Sequence, residues 1–402
     1  MKKKWVTLMG LVLAGSVLLA SMAGCSEEGA PGTGAGSASA NPASGAAMEE
    51  VARGLEDVSG KPPFYAEKFG KVDAAAALKD KKIMLVAYDS TNDWCVNYVK
   101  MANQVYAAVG AKPFITYCDG KADSWISAVQ SAINQKYDAV DLFGISDIGQ
   151  LDGVIAEARK AGVYVQDTHG TDISTPAGST DASVGCDYTK AGEMMALETI
   201  REVGDPAKVN CLVVADVGWG ADSSVRKGVE DALQKYGCKY TMADVSITDW
   251  TEGIGNAVRN AFIADESYNA VIAFYDNMCL YVVPALEQLG VDLNNVVVGS
   301  FNGNPALVDY VSAGQMDFNL GESIGWCACH AVDCMARAFA KQEVHNDAGF
   351  AMYLITRENV KDYVDPAVGK AAYAYDGVQD IYLPGYSELW GVDLAGVFDN
   401  IS

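Results

Sequence analysis

Histidine is scarce: His169, His330 and His345 are the only three in 402 residues. General acid–base catalysis leans on histidine more than on any other side chain. The chain therefore reads as a non-enzyme, with His169 beside Asp167 its single plausible acid–base pair. Positive charge is also short, 29 Lys plus Arg against 52 Asp plus Glu. Nucleic acid demands a basic footprint, so it is excluded as a partner, and the surface suits anionic lipid poorly. No glycine-rich phosphate cradle follows the first predicted strand, which removes the P-loop and the dinucleotide fingerprint. Paired Cys-x-x-Cys spacing is missing too. Cys327, Cys329, His330 and Cys334 cluster in sequence, but their spacing fits neither a zinc knuckle nor haem attachment. Residues 324–340 read instead as a helix with packed small side chains, so neither metal nor cofactor is expected.

What is present begins with an address. Lys2, Lys3 and Lys4 precede an apolar run over residues 5–23 that ends in Met22-Ala23-Gly24-Cys25. That is the layout of a secretory signal over residues 1–24. The tetrapeptide resembles a bacterial lipobox, which implies a lipid on the Cys25 thiol. A transmembrane anchor is the alternative, against which Gly10, Gly15 and Ser16 break the run. Either way the expected place is outside the cytoplasm, tethered to the cell membrane. Residues 25–60 are read as the lipid-bearing cysteine and a linker, since residues 26–48 are almost wholly Gly, Ala, Ser and Pro with two Glu. Beyond Cys25, nine cysteines remain, an odd number. Cys211 and Cys238 each lie near the start of a predicted strand and form the best disulfide candidate; ordinary core packing is the alternative.

About 350 residues follow the linker, enough for two domains. Residues 81–110 set the pattern: a buried strand (83–88), a polar turn (89–93) and an amphipathic helix carrying Val96, Val99, Val105, Tyr106 and Val109. Strands are predicted at 112–118, 139–143, 163–166 and 182–187, with helices at 125–136, 150–161 and 189–203. A second series places strands at 209–215, 239–245, 270–274, 296–299 and 316–320, with helices between them. Alternation of this kind means α/β architecture with two doubly wound parallel-sheet lobes. Ligands there bind beyond the carboxyl ends of the strands, so the turn Asp89-Ser90-Thr91-Asn92-Asp93-Trp94 faces a ligand.

The ordered set of motifs carries a resemblance. It comprises Ser90-Thr91-Asn92-Asp93-Trp94, Gly162-Val163-Tyr164-Val165-Gln166-Asp167, Val184-Gly185-Cys186-Asp187 with Ala191-Gly192, and residues 228–233 (GVEDAL). Ala273-Phe274-Tyr275-Asp276-Asn277-Met278, Val298-Gly299-Ser300-Phe301-Asn302-Gly303 and Thr356-Arg357-Glu358-Asn359-Val360 complete it. Over residues 81–360 the chain resembles a type I periplasmic binding protein of the ribose/galactose class, the substrate-binding component of a sugar ABC importer. The resemblance implies lobes joined by a hinge that the chain crosses three times: residues 81–187 plus 323–349, and 188–322 plus 350–385. It implies capture of a monosaccharide or related polyol between the lobes, without chemistry on it, and delivery to ABC permease subunits. A ligand-sensing subunit of a receptor or histidine kinase would use the same fold.

A sugar offers hydroxyls to carboxylates and amides and C–H patches to aromatic faces. By position in the resemblance, Trp94 stacks on the sugar, and Asn92 and Asp167 bind its hydroxyls. Tyr275, Asn302 and Glu322 (or Asn319) come from the second lobe. Asp89 belongs to the ligand-facing turn, and Trp219 in Gly218-Trp219-Gly220 is a second platform or a loop aromatic. Structural roles are open to each as well: Trp94 as a core ring, Asp167 and Asn302 as turn residues, Asp276 as a brace for a helix start. One departure matters. Where the family often carries an arginine before its second-lobe helix glycine, this chain has Val225. With Asp167, Asp187 and Glu322 near the expected cleft, that favours a neutral polyol or a cation over a sugar acid or phosphate. Residues after Val360, with Tyr373, Tyr375, Tyr382, Tyr386 and Trp390, read as an apolar strap over the lobes, or a cleft lid.

Overall fold

A computed structural model describes residues 42–173, 178–346 and 351–401. The first series of elements runs α1 (Pro42–Gly54), α2 (Ala74–Leu78), β1 (Ile83–Ala87), α3 (Asp93–Ala108), β2 (Phe114–Tyr117), α4 (Ala122–Asn134), β3 (Ala139–Phe143), α5 (Asp152–Lys160), β4 (Tyr164–Thr168) and β5 (Ala182–Val184). The second runs α6 (Tyr188–Val203), β6 (Asn210–Val217), α7 (Asp222–Lys235), β7 (Lys239–Ser246), α8 (Gly255–Ala264), β8 (Ala270–Ala273), α9 (Cys279–Gln288), β9 (Val297–Asn302), α10 (Pro305–Ser312) and β10 (Phe318–Glu322). Then follow α11 (Ile324–Ala340), β11 (Met352–Thr356) and α12 (Gln379–Trp390).

Among the described residues two sheets form, ordered β2-β1-β3-β4-β5 and β11-β10-β9-β8-β6-β7. Every pairing is parallel except β10 with β11. Central strands such as β1, β3 and β8 are buried throughout, as parallel strands covered on both faces must be. Helix starts follow side-chain caps: Asn92 accepts from Cys95 N–H, Asp187 from Lys190 N–H and Ser323 from Trp326 N–H. The chain leaves the first sheet after β5 and enters the second through α6. It returns with α11, which packs on α2, α3, β4 and β5, and crosses again to pair β11 with β10. This is the type I arrangement of two parallel-dominated sheets.

Helices α6 and α7 meet backbone to backbone. A Cβ on Gly192 would lie 2.1 Å from the Val225 carbonyl oxygen, and one on Gly228 1.9 Å from that of Thr189. Two of the family-like motifs are thus packing devices, and Val225 is buried between the helices rather than facing a ligand. Gly228→Ala is expected to cost about 1–3 kcal/mol or more by overpacking, read as a lower urea midpoint at unchanged slope.

Several expectations need amendment. The leader (residues 1–24) and Cys25 lie outside the described residues. The linker read over 25–60 gives way to α1, because Val51 and Leu55, one turn apart, are fully buried and the helix packs on α6. Residues 350–385 divide: β11 joins the second sheet, whereas α12 packs on α11. All nine described cysteines are free, so Cys211 and Cys238 form no disulfide; both are buried core thiols. Cys327, Cys329, His330 and Cys334 lie on the buried helix α11, where His330 Nδ1 is 3.1 Å from the Tyr386 hydroxyl. Among the described residues there is no group of three metal-binding side chains, and no helix long and apolar enough to cross a membrane.

Candidate functional site

The carboxyl ends of both sheets frame a cavity. From the first sheet come Asn92 and Trp94 at the start of α3 and His169 just past β4. Tyr188 opens α6; Asp216 and Trp219 follow along the end of β6, Ile247 and Trp250 lie beyond β7, Tyr275, Asp276 and Asn277 beyond β8, and Asn302 ends β9. The space between these residues, counted out into its mouth and the solvent there, comes to about 520 Å³. A smaller cavity adjoins it, sharing Trp94 and Asn302 and adding Glu322, Tyr353, Tyr373 and Tyr375. The two sides touch where Gly220 N–H donates to the Ser146 carbonyl.

One wall is aromatic and tightly tied. Trp94 is 8% exposed, stacked on Phe143 at 5.0 Å and 4.4 Å from the His169 ring. His169 Nε2 lies 2.6 Å from Glu322 Oε1, and the Tyr188 hydroxyl 2.9 Å from His169 Nδ1. That chain of bonds links the end of β4 to the start of α6 and the end of β10, the last two being places where the backbone passes between sheets. Across the cavity, Trp250 Nε1–H donates to Asp216 Oδ1 at 2.9 Å. Behind it, Tyr275 O–H and Trp219 N–H donate to the two oxygens of Asp222 at 2.8 and 2.6 Å. Two cavity residues hold left-handed backbone without being glycine, His169 at φ 61° and Asn302 at φ 136°. Such strain is stored where surrounding structure fixes it, often at functional sites.

Most buried polar atoms in a folded protein find a partner. Here four that border the cavities do not: Trp94 Nε1, Asp216 Oδ2, Asn302 Oδ1 and Glu322 Oε2 have no hydrogen-bond partner within the protein. One donor and three acceptors at the meeting of two lobes suit a polyhydroxylated guest.

Residues 73–343 match the periplasmic binding protein domain family. The chain belongs to that family. Among solved structures, a solute-binding protein from Actinobacillus succinogenes with bound D-allose is 20% identical, with a TM-score of 0.63, over 71% of this chain and 100% of the other. An Agrobacterium vitis solute-binding protein bound with alpha-D-tagatopyranose is 19% identical (TM-score 0.62; 72% and 98%). One from Burkholderia graminis with D-arabinose is 15% identical (TM-score 0.63; 72% and 99%). At these identities the likeness is one of fold. No curated protein matches by sequence.

In this periplasmic binding protein, Asn92, Trp94, Trp219, Tyr275 and Asn302 of the sequence-derived set line the main cavity, and Glu322 lines the adjoining one. Two members of the set lie outside both. Asp89 turns inward and accepts from the backbone N–H groups of Thr91 and Asn92, both at 2.8 Å. Asp167 accepts from the Thr171 hydroxyl at 2.7 Å and is buried behind His169. Asp187 likewise serves as a helix cap. Sequence reasoning passed over Asp216, Tyr188, Trp250 and Asn277. Asp216 and Trp250 had a usable signal, a polar or aromatic residue at the carboxyl end of a second-lobe strand.

Burial raises several acids of the binding protein. Asp216 is pushed up to about 7, mainly by desolvation and then by Asp222; Asp276 to about 7 and Asp167 to about 6, both by desolvation. Asp141, on β3 within the first sheet, reaches about 7 and Glu198 on α6 about 8, again by burial first. Raised acids bind protons more tightly folded than unfolded, so their stabilising contribution is whole below the ordinary carboxylate range and is lost as pH rises through 6–8. Asp265 and Asp119 are shifted down instead, chiefly by hydrogen bonds from Lys239 and Ser124, and matter only in more acid solution. The melting temperature is therefore expected to be higher at pH 5 than at pH 8, checked by calorimetric scans in matched ionic strength.

Proposed function

We propose that this protein captures a monosaccharide or related polyol in the interlobe cavity and hands it to an ABC importer, acting outside the cytoplasm and held to the membrane by a lipid on Cys25. The observation that carries the reading is the unpartnered quartet Trp94 Nε1, Asp216 Oδ2, Asn302 Oδ1 and Glu322 Oε2 in an aromatic-walled cleft. The family and the sugars bound by its solved relatives agree with it. Rings cover the C–H faces of the sugar while amides and carboxylates meet its hydroxyls. Contacts from both sheets favour the closed form, in which Gly220 meets Ser146, by the difference in contact energy between open and closed states. No bond of the ligand is broken: the residues at hand bind and orient.

The test is isothermal calorimetry of the purified chain against hexoses, pentoses, their amino derivatives and polyols. Binding with one-to-one stoichiometry and micromolar or tighter affinity is expected for at least one. Silence across all of them overturns the reading.

A further inference from the structure

We infer that the sugar taken by this cleft carries a free, protonated amine, an amino sugar of the hexosamine type, whose ammonium sits on Asp216. The inference rests on the sugar-binding reading above and narrows it. Asp216 is fully buried and lines the cavity; one of its oxygens is held by Trp250 Nε1–H, and the other receives no donor except a proton shared with the neighbouring Asp222. Directly behind stands a second carboxylate, Asp222, with both oxygens occupied by Tyr275 O–H and Trp219 N–H. Neither acid has a basic partner among the described residues, and neither Lys nor Arg lines either cavity. The site thus holds paired carboxylates whose neutralising charge the protein does not supply.

A sugar hydroxyl could donate to Asp216, yet it would leave the remaining charge of the buried pair uncompensated. An ammonium does both, and a charge-assisted bond is roughly twice as strong as a neutral one. The rings of Trp219, Trp250 and Tyr275 line the same cavity and offer electron-rich faces to a cation. A quaternary amine would suit the rings but has no N–H for Asp216. Asn92, Asn277 and Asn302 around the rest of the cavity match ring hydroxyls, which places the amine on a polyhydroxylated frame. Burial and Asp222 both hold the Asp216 carboxyl up at about 7, and an arriving ammonium would draw it back to the ionised form.

The experiment titrates the full chain at pH 7 with D-glucosamine, D-galactosamine and D-mannosamine, each beside its parent hexose and its N-acetyl derivative. At least one amino sugar is expected to bind about tenfold or more tightly than both counterparts, the margin of one charge-assisted bond. Asp216→Asn, which keeps an acceptor and loses the charge, should cut that margin to about threefold or less. A parent hexose or N-acetyl sugar that binds as tightly as the amine overturns the inference and leaves the sugar reading standing. An amine preference that survives intact in a folded Asp216→Asn protein also overturns it. Absence of binding by every sugar, charged or neutral, ends the underlying reading and this inference with it. Should the variant fail to fold, the comparison on the unaltered chain still decides whether the preference exists.

Discussion

Trp94→Ala is expected to weaken ligand binding by about 30- to 1,000-fold, the roughly 2–4 kcal/mol carried by a buried aromatic anchor. The ring borders both cavities and its Nε1–H is one of the unpartnered atoms, so truncation removes a stacking face and a donor together. Stability should fall as well, by about 3 kcal/mol, because the ring also packs on Phe143 beside Tyr98. The two effects separate in Trp94→Phe, which keeps the stack on Phe143 and loses only the donor. That variant should recover most of the stability and remain about tenfold weaker in binding. Calorimetry well below the melting temperature, with urea titrations alongside, reads both quantities. Unchanged affinity in Trp94→Ala with stability lost would make Trp94 a core residue alone.

The second large effect lies far from the ligand. Arg337 and Asp333, one turn apart on α11, are both essentially inaccessible to solvent, with Nε to Oδ2 at 2.6 Å. The guanidinium also donates to the carbonyls of Phe69 at 3.0 Å and Gly70 at 2.8 Å, and Trp390 Nε1–H donates to Asp333 at 2.8 Å. This one pair therefore fastens α11 to the segment before β1 and to the end of α12. Asp333→Asn leaves the buried arginine uncompensated and should cost about 3–5 kcal/mol, whereas Asp333→Leu with Arg337→Met should restore much of the loss. Urea midpoints of the single and double variants test it; a single variant within about 1 kcal/mol of the parent would show the pair to be dispensable.

Much of this fold is legible in the sequence, because parallel strands covered on both faces appear as unbroken apolar runs such as residues 83–87 and 211–215, each followed by a helical period. Helix α1 was hidden by its composition: Gly, Ala and Ser suggest a linker, and only Val51 and Leu55 betray the docked face. Strand β11 escaped because an antiparallel edge joins the sheet from a distant part of the chain, so its partner cannot be inferred from spacing. In the site, turns were easier to place than side-chain directions. Strand β4 runs to Thr168 and alternates its faces, so Asp167 falls inside the sheet and His169 meets the cavity. The resemblance places Asp167 just after a strand expected to end at Gln166, two residues before its observed end. The carboxylate at the cavity wall is Asp216, visible only when the second lobe's strand ends are read as closely as the first lobe's.

The segment after β11 does more than cover apolar surface. Ala371 N–H is held by Asp309 on α10 at 2.9 Å, and the Tyr373 hydroxyl by Asp93 at the start of α3 at 3.3 Å. Those anchors belong to opposite sheets, and only two residues of backbone, at most about 7 Å of contour, separate them. The strap is in effect a short leash. Any swing that draws α3 and α10 apart by more than the slack in that tether and two side chains has to break one of these bonds first. On the proposed function, a guest's residence time in the cleft is expected to depend partly on a segment beyond residue 343, where the family match ends.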